Sequence, residues 1–248
     1  MARVWLSVQR SYLFPSSLYN LCLIGYIRTP LSMKEAMTRA FSLIDNDLLR
    51  HSTKPEWVPL LHNICYLHCT LNLRTRFGQA GWDLPNLTTF TNVELTSAFQ
   101  VIAREFALSD QSMVRLESAH TTSGISNETN GRQLSWSAIR YELSELIYGA
   151  RALSEYDQRA IANIVDFWIQ PGSVRKDFEF SKIKYKIPSV FFSQQPRLSQ
   201  LQQALESLSM HQLDAPEACH LHSTFETNLG MCINISSSFR NELFSVGL

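Results

Sequence analysis

From residue 33 onward, apolar residues fall three and four positions apart: Met33, Ala36, Met37, Ala40, Phe41, Ile44 and Leu48. That spacing lays one apolar stripe along an α-helix. Ser32 stands at its head with Glu35 three residues on, so each side chain can satisfy the other's free backbone N–H. The same period returns along the chain. Trp57, Leu60, Leu61, Ile64, His68 and Leu71 predict a second helix that ends near Phe77-Gly78. Pro59 belongs in its first turn, because deeper inside it would cost about 3 kcal/mol. Thr91-x-x-Glu94 heads a helix with Leu95, Ala98, Phe99, Ile102 and Phe106. Ser135 heads another, with Trp136, Ile139, Leu143, Leu146 and Ile147, which stops at Gly149. Ser154 starts a helix carrying Ile161, Ile164, Val165 and Trp168, halted by Pro171-Gly172. A last one follows Pro196, with Leu198, Leu201, Leu205 and Leu208.

Three stretches break the period. Residues 3–28 alternate loosely around Val4, Trp5, Leu6 and then Leu21, Cys22, Leu23, Ile24 and Ile27, which predicts short buried strands on either side of Phe14-Pro15. Residues 178–192 predict strand or irregular structure. Residues 109–133 are rich in Ser, Thr, Asn and Gly, and too poor in apolar residues to offset the entropy of ordering, so they predict a mobile surface loop. The fold class is mainly α: a helical bundle with a short α/β remnant at the N-terminus.

Composition narrows the function classes. Lys plus Arg and Asp plus Glu each number 22, so no charge excess draws the chain toward nucleic acid. No apolar run approaches the ~18 residues of a membrane span. The start, broken by Ser7, Gln9 and Arg10, lacks the clean apolar block of a secretory signal. The expected location is the cytoplasm, for a protein that either stands alone or begins partway through a longer one. Five scattered cysteines (Cys22, Cys65, Cys69, Cys219 and Cys232) argue against a disulfide framework. In that compartment the N-x-S/T triplets at Asn86, Asn127 and Asn234 carry no meaning.

Candidate chemistry is sparse. The nine glycines form neither G-x-x-x-x-G-K-S/T nor G-x-G-x-x-G, so the usual phosphate cradle is missing. G-x-S-x-G and H-E-x-x-H do not occur either. Cys65, His68 and Cys69 share a helix face at metal-ligand spacing, but Leu61, Ile64 and Leu71 lie on it too, and buried free cysteine is common. Cys219, His220 and His222 form a second cluster; only Cys219 and His222 have helical spacing. Glu155 and Asp157 are placed as helix N-terminal charges that complement the dipole. The expectation is no catalytic, cofactor-binding or metal residue in this chain.

Several segments together resemble one family. LLHNICYLHCTLNLRTRFGQAGWDLP, from Leu60 to Pro85, is similar to the dynein heavy chain pattern of an apolar helix ending in F-H-x-x-x-x-x-R, then K/R-F-G-x-x-G-W-N-x-P; His68, Arg74, Arg76, Phe77, Gly78, Gly81, Trp82 and Pro85 match in place. AIRYELSELIYGARALSEYDQR resembles A-L-R-Y-L-x-G-E-x-x-Y-G-G-R-x-x-D-x-x-D-R-R through Ala138, Arg140, Tyr141, Glu145, Tyr148, Gly149, Arg151, Asp157 and Arg159. Tyr185 and Pro188 resemble Y-x-x-P; Pro216, Glu217, Leu221 and His222 resemble P-E-x-F-G-L-H; VWLS with Phe14-Pro15 resembles W-L-S…F-P. The departures are Ser144 and Ala150 for two glycines, Asp83 for Asn, and His220 for the glycine of G-L-H, the marks of a divergent member.

The resemblance implies a division of the chain. Residues 1–30 would end an AAA+ large subdomain, 31–175 would form its helical lid, and 176–248 would open the dynein C-terminal domain. It also implies a non-catalytic ring segment of an ATP-driven, minus-end-directed microtubule motor. ATP and Mg would sit at other modules of a longer parent. The partners would be those other AAA+ modules, and, through the parent, dynein intermediate and light chains and microtubules; the place would be the cytoskeleton, a cilium or axoneme included. A free-standing helical adaptor that kept the fold is the alternative, and solution behaviour separates the two. An excised ring segment should self-associate through exposed apolar residues, whereas an adaptor should be monodisperse. On the residues alone, Gly78 and Gly81 suggest a tight turn that aims Phe77 and Trp82 inward. Arg151 would reach the last carbonyls of its helix, and Arg140, Glu145 and Asp157 would pair between helices or across an interface.

Overall fold

The computed structural model describes residues 4, 15–23, 32–84, 88–120, 134–180, 184–193, 196–207 and 215–221. Eight α-helices lie in them: α1 Ser16–Leu21, α2 Met33–Phe41, α3 Asn46–Leu49, α4 Trp57–Leu73, α5 Asn92–His120, α6 Trp136–Tyr141, α7 Glu155–Trp168 and α8 Leu198–Glu206. Short 3-10 segments cover Arg74–Ala80, Gly149–Arg151, Ser189–Phe192 and Pro216–Cys219, and a π-turn covers Glu142–Ile147. The only β pairing among the described residues is an isolated antiparallel bridge between Phe180 and Tyr185.

The bundle is built around α4. Fifteen of its seventeen residues are buried, so it is covered on every side, as a helix central to a bundle is. One stripe at three- and four-residue spacing does not show this; the residues between the stripe, His62, Asn63, Tyr66 and Thr70, are buried as well. α2, α5 and α7 pack round it, together with the 3-10 segments at 74–80, 189–192 and 216–219. α2 carries α8 on its other side, where Lys34 donates to the carbonyl of Glu206. Phe180, Ile187, Phe191, Leu201, Leu205 and Cys219 belong to the same core as α4.

Three of the four expected caps are in place; Ser135, at the head of α6, makes no side-chain cap hydrogen bond. The Glu35 N–H donates to Ser32 Oγ at 3.2 Å, while the Glu35 carboxylate pairs with Arg39 at 2.7 Å. At α5 the Glu94 carboxylate accepts from the Thr91 N–H at 2.7 Å and Thr91 Oγ1 accepts from the Val93 N–H at 3.2 Å. Ser154 Oγ accepts from the Tyr156 N–H at 3.3 Å at the head of α7. Each cap satisfies an N–H that the helix itself cannot.

Three expectations change. Ser16–Leu21 is helix, not strand; the rest of residues 3–28, apart from Val4, Pro15, Cys22 and Leu23, lies outside the described residues. α5 runs on to His120, so residues 109–120 are helical and the predicted loop does not begin at 109; residues 121–133 lie outside the described residues. The helix expected from Ser135 to Gly149 is α6 continued by the π-turn, closed by the Tyr148 N–H on the Leu143 carbonyl at 3.0 Å. A π-turn takes one extra residue per turn and so shifts the stripe. Leu143 stays buried, but Leu146 turns out to solvent at 58% exposure, although the 3.6-residue period puts it inside.

Candidate functional site

The motif residues meet at one junction, where the end of α4 turns back on itself. Gly78 holds φ 56°, a left-handed conformation that glycine adopts without steric cost, and the N–H groups of Gly81 and Trp82 both donate to its carbonyl. At Gly81 a Cβ would lie 1.8 Å from the carbonyl oxygen of Arg74, so no larger residue fits there. The turn drives Trp82 into the core at 1% exposure, with its Nε1–H on the Leu71 carbonyl at 3.1 Å and Phe90 edge-on at 6.0 Å.

Arg74 closes the other side. Its guanidinium lies 4.8 Å from the Trp82 ring centre, a cation–π contact inside the protein. Its Nε donates to the Gly81 carbonyl at 3.1 Å and its Nη1 to the Cys219 carbonyl at 2.8 Å, tying the 3-10 segment at 216–219 to the end of α4. Burial pulls the Arg74 pKa down to about 10, so it stays charged at any working pH. His220, which replaces the expected glycine, holds φ 58°, a conformation costing a non-glycine residue roughly 1–2 kcal/mol. Its ring lies over Phe167 and Trp168, at 5.8 and 6.1 Å.

Asp157 is more than a dipole charge. It is buried at 2% exposure and accepts from the Asp83 N–H at 2.7 Å, the Leu84 N–H at 3.3 Å and Thr88 Oγ1 at 3.1 Å. Asp83 in turn accepts from Ser154 Oγ at 2.7 Å, so the loop after Trp82 is pinned to the head of α7 at two points. Arg151 does not reach helix carbonyls: its Nε pairs with Glu94 at 3.2 Å, joining α5 to the segment after the π-turn. Burial raises the Glu94 pKa, but the Thr91 hydrogen bonds and Arg151 outweigh it and the net direction is down. Arg140 pairs with Asp166 at 3.4 Å between α6 and α7.

Comparison with known proteins bears on this junction. Residues 57–225 match the family model described as the dynein heavy chain AAA lid domain. The chain belongs to the dynein heavy chain AAA lid family. It is 26% identical over 235 residues to dynein axonemal heavy chain 8 of Homo sapiens, covering 93% of this chain and 5% of that protein. It is 21% identical over 170 residues to the dynein gamma chain, flagellar outer arm, of Chlamydomonas reinhardtii, covering 68% of this chain and 3% of that one. The chain thus spans about 5% or less of the length of these dynein relatives.

The two cysteine–histidine clusters of this dynein lid sit in different surroundings. His68 Nε2 faces the Asn72 amide at 3.0 Å and Nδ1 faces the Tyr148 hydroxyl at 3.3 Å, with Cys65 and Cys69 buried beside them. Cys219 is buried and offers its carbonyl to Arg74; His222 lies outside the described residues. Among the described residues no three His, Cys, Asp or Glu side chains are grouped to hold an ion. No described helix is long and apolar enough to cross a membrane.

The sequence reading missed the polar residues inside α4. Asn72 bridges His68 and the Phe90 N–H, which it accepts at 3.2 Å. Asn63 donates to the Ser173 carbonyl at 3.2 Å, and His62 Nε2 meets the Tyr185 hydroxyl at 2.8 Å. The signal was there: polar residues interrupting so apolar a helix call for partners, because a buried polar group left unpaired costs about 1–3 kcal/mol, although His62 Nδ1, Asn63 Oδ1 and Thr70 Oγ1 find none among the described residues.

Burial pushes the pKa of His68 down to about 4 and that of His62 to about 3. Between these values and the ordinary 6.5, the unfolded chain binds protons that the folded one does not, so stability rises with pH there. Stability is full above pH 6.5 and falls as pH drops toward 4. Urea denaturation should show His68→Gln losing roughly 2 kcal/mol of the decline between pH 7 and 5. An unchanged decline would mean that His68 is not buried neutral.

Proposed function

We propose that this chain is a non-catalytic structural segment of a dynein heavy chain-like, ATP-driven, minus-end-directed microtubule motor. What supports this most is that the polar motif residues are spent on internal contacts. Arg74, Asp157, Glu94, Arg151 and His68 each join one element of the bundle to another. A group committed to holding elements together is not available to position a substrate. ATP and Mg belong to other modules of a longer parent, an ATPase, and residues 31–175 serve there as a helical lid with the C-terminal domain opening at 176. Its partners are the other AAA+ modules of that heavy chain, with intermediate and light chains and microtubules reached through the parent. The axonemal and flagellar names of the relatives favour a cytoskeletal place, in a cilium or flagellum.

Titration calorimetry of the chain with ATP and Mg should give no saturable heat at micromolar concentration, since the chain lacks the glycine-rich cradle and its lysine. Saturable binding would overturn the non-catalytic reading. Long-read sequencing of the encoding transcript should place a G-x-x-x-x-G-K-S/T loop upstream; a complete transcript without one would favour an adaptor.

A further inference from the structure

We propose that the cavity between α2, the last turns of α4 and the start of α5 binds an uncharged aromatic compound: a flat fused ring system bearing one amide-type group, with a donor and an acceptor side by side. The cavity has a volume of about 450 Å³. Pockets for small molecules span roughly 300–1,000 Å³ and combine an apolar lining with a few placed polar groups. The room comes from α2, where Ala36 and Ala40, one turn apart on the buried face, put only methyl groups against the cavity. Cys69, Leu73 and Leu95 continue the buried apolar floor.

Phe90 makes the flat wall, and its neighbours fix it in place. Its N–H donates to Asn72 Oδ1 at 3.2 Å, and Trp82 and Tyr148 meet its ring edge-on at 6.0 and 5.3 Å. A wall already immobilised costs a ligand little ordering entropy on binding, which favours a ring over a flexible chain. No charge in the lining is open to a ligand. Burial raises the pKa of the Cys69 thiol and lowers that of His68 to about 4, so both are neutral near pH 7. Arg39 is paired with Glu35 at 2.7 Å, and Arg76 is engaged as well. A charged ligand would lose its water here and gain no counter-ion in return. The polar groups left to a ligand are neutral. Thr89 and Asn92, the first residue of α5, line the opening; both are exposed, and neither side chain makes a hydrogen bond among the described residues. A carboxamide both donates and accepts, so Asn92 pairs best with a group that does the same.

The test titrates 1-naphthamide, 1-acetylnaphthalene and 1-naphthoate into the full chain at pH 7, read by calorimetry and by the methyl resonances of the labelled chain. Naphthamide should bind one to one and shift the methyl signals of Ala36, Ala40, Leu73 and Leu95, leaving those of Ile161 and Ile164 on α7 in place. Acetylnaphthalene keeps the acceptor but lacks the donor, and should bind about three- to tenfold more weakly, the effect of one neutral hydrogen bond. The exposed substitution Asn92→Ala should remove that difference without changing the melting temperature by more than a few degrees. Naphthoate should bind no more tightly than naphthamide. Ala40→Phe, which fills the room beside α2, should abolish binding of all three compounds; should it unfold α2, the methyl shifts of the unaltered chain still locate the site. Absence of saturable binding, methyl shifts elsewhere, a preference for naphthoate, or a donor effect that survives in Asn92→Ala would each overturn the proposal.

Discussion

Trp82→Ala should destabilise the chain by about 3–5 kcal/mol, the usual cost of truncating a buried large aromatic. Domains of this kind hold together by only ~5–15 kcal/mol, so soluble yield should fall and the melting temperature drop sharply. Three losses combine. The ring leaves a cavity in the core beside Phe90, the Leu71 carbonyl loses the indole N–H, and the Arg74 guanidinium loses the face it lies against. The last makes Arg74 the more vulnerable group, since it is buried and its other hydrogen bonds among the described residues go to backbone carbonyls. Trp82→Phe keeps most of the area but not the N–H, and should cost about 1–2 kcal/mol. Thermal melts of both variants give the comparison. If Trp82→Ala folded at unchanged stability yet lost a ring partner, Trp82 would be an interface anchor and the packing account would fail.

Asp157→Ala should cost about 3 kcal/mol, because one carboxylate serves three donors and hydrogen bonds to a charged group contribute ~1.5–3 kcal/mol each without adding fully. The Thr88 hydroxyl is buried and would be left without this acceptor. The Asp83 and Leu84 N–H groups are nearer solvent, and water can take over part of their loss. Asp157→Asn should fall between, since its amide keeps one oxygen but turns an NH₂ toward a donor. Hydrogen exchange at residues 83 and 84 should accelerate in both variants, ahead of global unfolding. An Asp157→Ala variant with wild-type stability and unaltered exchange would show that the loop is held by Trp82 and the Asp83–Ser154 contact alone.

The fall in stability below pH 6.5 expected from the buried histidines shares its origin with these two effects. All three arise because the bundle wraps α4 on every side and leaves its polar residues dry. The same architecture sets the surroundings of the first cysteine–histidine group: Cys65, His68 and Cys69 share a face as their spacing says, but that face is interior.

Local pattern determined a good deal of this protein. The three- and four-residue spacing located α2, α4, α7 and α8, and Ser32, Thr91, Glu94 and Ser154 marked helix starts whose caps the structure contains. Such features are legible because the cause and its effect lie within one turn of each other. The G-x-x-G-W segment likewise announced an inward turn, since Gly78 and Gly81 are needed by backbone geometry next to them. Tertiary structure decided the rest. That α4 is central, that Asp157 reaches Asp83, Leu84 and Thr88, that Arg74 holds Cys219, and that Arg151 turns to Glu94 all depend on residues tens of positions apart. The π-turn belongs to the same class: the 3.6-residue period put Leu146 inside, and one extra residue in the turn put it out. A sequence pattern records which side of a helix is apolar, but which partners cover that side, and which buried polar groups are matched as His68 and Asp157 are while Thr70 is not, is settled only when the helices pack.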